Sequence, residues 1–258
     1  MFTVATLNLL DHQARPDERF PLIVAGLAAE WPDLVALQEV SAGREQGERL
    51  AAALNAAAGR AGRHRTYQYA QQPNLRRQDL SVGLLVRHPI HDRAWVDLQG
   101  QGRVALAVTT EIDGRRLAFV STHLFWEIGP AGEQARRYQA GVLADWVAQT
   151  FPEVPTIVGG DFNAVPDGIT YTYLAEQWVS LYAERHGAEP AWTCPTPLAP
   201  TPDGWHGTLD YLWKAPRNAP LRVLDARLFM NEPAPHDPKL YASDHVGVLA
   251  RVAFTQHE

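Results

Sequence analysis

With 258 residues, 46% of them apolar, the chain can bury one large core, and it is read here as one domain over 1–258. A formal charge of −6 excludes a strong general attraction for polyanions, although a bound dication would invert the field locally. Cys194 is the single cysteine, which excludes an internal disulfide framework and a zinc site built from several cysteines. No apolar run approaches the ~20 residues that span a bilayer. Met1 leads into Phe2-Thr3-Val4-Ala5 with no basic segment before it. A cytoplasmic monomer is the expectation.

The first strand is expected over Phe2–Leu7 and runs into Thr6-Leu7-Asn8. Phe20, Ile23, Val24 and Leu27 then recur at helical spacing, predicting a helix over Phe20–Trp31 that stops before Pro32. Leu34–Leu37 reads as a buried strand ending in Leu37-Gln38-Glu39, and the alanine-rich stretch Glu45–Ala58 as a helix closed by Gly59. Arginines gather at Arg60, Arg63 and Arg65 and again at Arg76 and Arg77, both read as solvated loops. Strands follow over Thr66–Ala70, Ser81–Arg87, Val104–Ile112 and Leu117–Thr122, the last ending in Ser121-Thr122-His123, with Phe125 and Trp126 close behind. In Gln134–Thr150, Tyr138, Val142 and Trp146 stand four apart and give a helix one apolar face. The strand Thr156–Gly159 runs into Gly160-Asp161-Phe162-Asn163, and Gly168–Gln177 is a short helix. A long loop, Arg185–Gly207, carries five prolines with Trp192 and Trp205, and reads equally as functional or as a rigid excursion. Strands Thr208–Trp213, Leu221–Phe229 and Val246–Phe254 close the chain; the first holds Leu209-Asp210-Tyr211, and Ser243-Asp244-His245 precedes the last. Helices alternating with strands early, and strands dominating later, imply two packed sheets with helices outside. No internal repeat is visible.

The chemistry lies in the polar words that end or follow these strands. A carboxylate at the buried end of a strand, such as Glu39, is costly unless paired or metal-bound. Asn8 and Asp11 lie at a comparable strand end, Asp11 with weaker support from its spacing. Asp161 and Asn163 stand two apart, so an extended backbone points both to one side, where a carboxylate and an amide can hold a water. His123 and His245 supply imidazoles, with Asp210 as a possible orienting partner for His245. Asp244 and His245 reach one site only if the chain bends, which predicts a loop over Ser243–His245. The other histidines (His12, His64, His88, His91, His186, His206, His236, His257) mostly read as solvated. A zinc-protease helix motif, a phosphate-binding Gly-rich loop and a serine nucleophile elbow are all absent.

These words in this order resemble the endonuclease/exonuclease/phosphatase superfamily, with Gly160-Asp161-Phe162-Asn163 and Ser243-Asp244-His245 as the most specific parts. The resemblance implies a deoxyribonuclease-I-like four-layer α/β/β/α sandwich of two packed mixed sheets, a Mg²⁺ or Mn²⁺ requirement and hydrolysis of phosphoesters. It makes Glu39 the principal metal ligand, with Asn8 beside it and Asp244 at a second or water-mediated position. It makes Asp161 and Asn163 the holders of water or phosphate, Asp210 the orienting carboxylate of His245, His123 the imidazole on the leaving-group side, and Arg137 a phosphate-facing helix residue. Leu10 stands where some abasic-site nucleases carry a further acid, and His123 where that branch tends to use tyrosine. The implied substrate is a phosphodiester of nucleic acid or nucleotide type; a lipid, inositol or other small-molecule phosphate is the alternative, and a non-catalytic binding module the remote one. Either His245 or Asp161 serves as base.

Overall fold

A computed structural model describes residues 1–64 and 66–255 of the chain. The elements, in chain order, are β1 (Phe2–Asn8), α1 (Pro16–Glu30), β2 (Leu34–Ser41), α2 (Gln46–Arg60), β3 (Gln68–Pro73), β4 (Leu80–Val86), β5 (Ile90–Asp97), β6 (Val104–Ile112), β7 (Arg115–His123), α3 (Pro130–Thr150), β8 (Thr156–Asp161), α4 (Ile169–Gln177), β9 (Val179–Ser180), α5 (Leu181–His186), β10 (Asp210–Ala215), β11 (Leu221–Phe229) and β12 (Gly247–Phe254). They form two six-stranded sheets, β11-β12-β1-β2-β4-β3 and β5-β6-β7-β8-β10-β9. In each sheet one pair is parallel, β1–β2 or β7–β8, and the remaining neighbours are antiparallel. A parallel pair needs a crossover, here α1 and α3. Strand for strand, the two sheets share one pairing order and direction, a repeat of topology that no sequence repeat announces.

Alternation along the strands builds the layers. Phe2 and Val4 of β1 point into a core shared with Leu34 and Ala36 of β2, Leu117 and Phe119 of β7, Ile157 of β8 and Leu212 of β10. That is the inter-sheet core. The opposite faces bury Ala5, Leu7, Val35 and Leu37 against Ile23 and Leu27 of α1 and Leu50 and Leu54 of α2. On the other sheet, Ala118, Val120 and Val158 pack against Leu143 and Val147 of α3 and Leu174 of α4. Three apolar layers therefore separate four structural ones, the expected α/β/β/α sandwich. Each fully buried Leu, Ile or Phe in these layers contributes about 1.5–3 kcal/mol.

The departures from expectation have local causes. α1 and α3 start earlier than their apolar spacing indicates because Pro16 and Pro130 fit the first helical turn, where no N–H is needed. β5 has no legible apolar alternation because it is a largely exposed edge strand. β3 and β10 begin two residues later than Thr66 and Thr208. The first residues of Arg185–Gly207 belong to α5.

Candidate active site

The inner-face alternation does not stop where the apolar residues do. In β1 it passes from Val4 through Thr6 to Asn8; in β7 from Phe119 through Ser121 to His123; in β8 from Ile157 through Gly159 to Asp161; and in β10 back from Leu212 to Asp210. His123 and Asp210 flank Asp161 in register on either side, so three polar groups lie in one row across three strands. Gln38 carries the row to the other sheet, donating to Ser121 Oγ (3.1 Å) and accepting from Thr6 Oγ1 (3.1 Å), all fully buried.

Asp161 is the hub. Its Oδ2 accepts from Asn8 Nδ2 at 3.0 Å and lies 3.5 Å from His123 Nε2 and 3.8 Å from His245 Nε2. Its Oδ1 accepts from the Asn163 N–H at 2.9 Å. Asp161 and Asn163 do meet, but not through the extended backbone expected from their spacing. The strand ends at Asp161, and Asn163 turns into the left-handed region (φ 50°), from which Nδ2 reaches His123 Nε2 at 3.1 Å. His245 sits in the predicted bend before β12, with Nδ1 2.8 Å from Asp210 Oδ2. Thr193 Oγ1 donates to the same oxygen at 2.6 Å.

Electrostatics separate the two imidazoles. Burial pushes His123 well below its ordinary value, and Arg103 and His245 add to this. Burial also works against charge on His245, but Asp210, Asp244 and Asp161 outweigh it and hold this imidazole well up. Burial, and then Asp210, push the Asp161 carboxyl up against the opposing pull of His245.

Glu39 arrives differently. Alternation alone would aim it at the helices, beside Leu37. Instead the β2–β4 register slips between Leu37 and Val40, and Glu39 takes a positive φ of 49°. That bulge turns its carboxylate into a cavity shared with Asp11 and Arg103. Burial, with Asp244 nearby, raises the Glu39 carboxyl.

The family profile of the endonuclease/exonuclease/phosphatase family matches residues 5–245, which span every residue of this cleft. The chain belongs to that family. No curated protein sequence matches it. Among solved structures, the human nocturnin catalytic domain is 24% identical with a TM-score of 0.76, over 98% of this chain and 94% of that one. Zebrafish (D. rerio) TDP2 complexed with a single-stranded DNA product is 17% identical with a TM-score of 0.78, over 98% of each chain. A mannosyl-6-phosphatase of Bacteroides thetaiotaomicron is 18% identical with a TM-score of 0.76, over 98% of this chain and all of that one. At these identities the likeness is one of fold. Members of the endonuclease/exonuclease/phosphatase family hydrolyse phosphoester bonds.

Family members use divalent metals, and the donors here suit a hard cation. Asp11 Oδ1 is buried with no hydrogen-bond partner among the described residues, in the cavity that Glu39 lines. Asp161, Asp210 and His245 bring ligand atoms within 4.8 Å of one another, and so do Cys194, Asp244 and His245. Asn8 Oδ1 accepts from the Leu10 N–H at 2.9 Å and keeps a second lone pair.

Arg137 does not join this group. Its guanidinium lies over the Tyr173 ring, 3.2 Å from the centroid, and it lines a separate cavity with Tyr138 and Trp146. One residue earlier on α3, buried Arg136 faces the cleft's loops instead, donating to the Phe125 and Glu127 carbonyls at 3.0 and 2.7 Å. Arg63 stacks on Trp31, and Arg65 lies outside the described residues, as does His257. His88 is buried and bonds Asp33 rather than solvent. Sequence reading missed Arg103, Thr193 and Thr196. Thr196 donates to the Ser243 carbonyl at 2.7 Å and its N–H bonds Asp244 O at 2.7 Å, so the proline-rich loop clamps the bend that carries His245. Threonines in such a loop carry no local signal of this role.

Proposed function

We propose that this protein is a Mg²⁺- or Mn²⁺-dependent phosphodiesterase of nucleic acid or nucleotides, working as a cytoplasmic monomer with residues 1–258 as one domain. The observation that carries the reading is the meeting of Asn8, Glu39, His123, Asp161, Asn163, Asp210 and His245 at one end of the inter-sheet face. Open space on both sides of that row suits a diester, which has two substituents to seat. The DNA product bound by zebrafish TDP2 supports a nucleic-acid substrate. The mannosyl-6-phosphatase of the same fold supports the second reading, a small-molecule phosphate.

Asn8, Glu39 and Asp244 would hold the ion, which when bound supplies positive charge to a non-bridging phosphate oxygen. Arg103, buried beside Glu39 and Asp161, holds a second oxygen. Asp161, its proton affinity raised toward neutrality, accepts a proton from the attacking water while Asn163 and Asn8 fix its orientation. His245 keeps its proton, which Asp210 and Thr193 secure, and presents Nε2–H to the phosphate. Of the two candidates for base, His245 and Asp161, this reading takes Asp161, because the acidic surroundings of His245 strengthen its hold on a proton. The P–O bond opposite the attacking water breaks on the side of His123, which, kept neutral, contributes a hydrogen bond there while the departing oxygen takes its proton from solvent. The test is a panel with Mg²⁺ or Mn²⁺ and an EDTA control, comparing bis-p-nitrophenyl phosphate, DNA and RNA with sugar and inositol monophosphates. Turnover of diesters alone supports the reading; turnover of monoesters alone moves it to the second; metal binding without turnover overturns both.

A further inference from the structure

The space on the two sides of the reactive row is chemically unequal. On the Glu39 side lies a polar cavity of about 390 Å³ whose wall presents Arg76, Arg77 and Arg103. On the Asn163 side lies a cavity of about 670 Å³ walled by Trp126, Ile128, Val165 and Trp205. Trp126 borders both.

Each side is built. Arg103 is 7% exposed, yet its guanidinium makes no hydrogen bond or ion pair among the described residues. The loops carrying the other two arginines are locked together. Asn74 Oδ1 accepts from the Arg76 N–H at 3.0 Å, and the Leu75 N–H bonds the Gly102 carbonyl at 2.9 Å. Gly102 has a φ of 70°, and a Cβ there would meet the Arg76 nitrogen at 2.6 Å. Among the described residues the Arg76 side chain bonds only the neutral Gln101, and the Arg77 side chain only Asp79 at an exposed 3.3 Å. On the other side Trp205 is packed so closely over Gly207 that a Cβ would lie 2.4 Å from its ring. The loop bearing Trp126 is tied down by Arg136 and by Gln139, which accepts from the Phe125 N–H at 2.9 Å. Arg136 is committed to Glu133 and two carbonyls, so this side offers no free cation among its described lining residues.

A single scissile phosphate is served by Arg103 and the groups around it. Arg76 and Arg77 are surplus to it, in a chain whose net charge is −6. We propose that the substrate is an unsymmetrical phosphodiester: one substituent bears a second phosphate, held at Arg76 and Arg77, and the other presents a flat ring that seats against Trp126 and Trp205. Guanidinium forks recognise phosphate, and exposed indoles stack on planar rings without reading their identity. The assignment rests on the reading of the Asp161 cleft as the reactive centre.

The probes are thymidine 5′-phosphate esters with and without a 3′-phosphate, the ester alcohol being methanol, p-nitrophenol or the 3′-hydroxyl of deoxyadenosine. The 3′-phosphate is expected to raise kcat/KM about tenfold or more, and the Arg76→Ala/Arg77→Ala variant to bring that ratio near one. Trp205→Ala is expected to lower kcat/KM about tenfold for the ring-bearing esters relative to the methyl ester. A loss for both ring esters marks a general ring site; a loss for deoxyadenosine alone marks a nucleobase site. A wild-type 3′-phosphate ratio near one, the same ratio in the double variant, or an equal loss on all three alcohols overturns the assignment. His245→Gln separates the two levels: if it abolishes turnover while the 3′-phosphate has no effect, only the substrate assignment falls; if it turns over every ester like the wild type, the reactive centre itself is wrong.

Discussion

The two ends of β2 each carry a carboxylate withdrawn from water, and they are treated in opposite ways. Asp33, just before the strand, receives the Thr3 N–H at 2.8 Å, Arg87 at 2.5 Å and His88 at 3.1 Å. Burial works against its charge, but His88, Thr3 and Arg87 win, and the carboxyl is held below its ordinary value. Glu39, near the other end, is desolvated beside Asp244, and its carboxyl is raised. One end is satisfied and stabilises the fold. The other is left wanting positive charge, the signature expected of a site that takes up a cation or an acid-base role.

The contrast breaks most severely if the frustrated end is not functional. His245→Gln is expected to lower turnover by ~10²–10⁴-fold while the melting temperature stays close to that of the wild type; single-turnover kinetics beside a thermal melt would check this. Glu39→Gln is expected to raise the Mg²⁺ concentration for half-maximal activity by roughly 100-fold, seen in a metal titration, and to leave metal-free stability equal or higher. Asp33→Asn should do the reverse, costing about 1.5–3 kcal/mol in urea unfolding with kcat unaltered. Thr193→Val, which removes the 2.6 Å bond to Asp210, is expected to reduce kcat about tenfold with KM little changed. Equal losses in kcat and stability would make that threonine purely structural.

The smallest effects are in pH. Asp33 binds its proton more weakly folded than unfolded, so its stabilisation is present above the ordinary carboxyl range and is lost as pH falls through the lowered value. Glu39 and Asp161 bind theirs more tightly folded, so their contribution is present below about pH 4 and is lost as pH rises through the raised values. In metal-free protein, Asp33→Asn should flatten the acid limb of the stability curve, and Glu39→Gln the limb that runs upward from the ordinary carboxyl range through the raised value. A flat curve in the wild type would remove the distinction.

What was legible in the sequence follows the same divide. Asn8, His123, Asp161 and Asp210 extend strands whose apolar alternation is plain, so their common face follows from period two. Their partners follow from register, which the alternation strongly restricts. Glu39 was found by its company of motifs, since alternation points it the wrong way and a bulge leaves no mark in composition. Arg136 and Arg137 show the opposite failure: adjacent on a helix, they face different surroundings, and only the start of α3 at Pro130 and its packing decide which one turns to the cleft. The proline-rich loop had two readings in sequence, and its structure joins them, because the bonds from Thr193 and Thr196 that make it rigid also hold Asp210 and the bend bearing His245 in place.

The matching order of strands in the two sheets gives Asn8 and His123 equivalent addresses, and likewise Gln38 and Asp161, with Glu39 one residue beyond Gln38. The same framework, used twice, places an amide and a carboxylate on one half, and an imidazole and a carboxylate on the other. Neither half encloses a complete set of these groups, so the chemistry is a property of the seam. A chain of this design can drift widely in either half's sequence and still be held to one geometry where the halves meet.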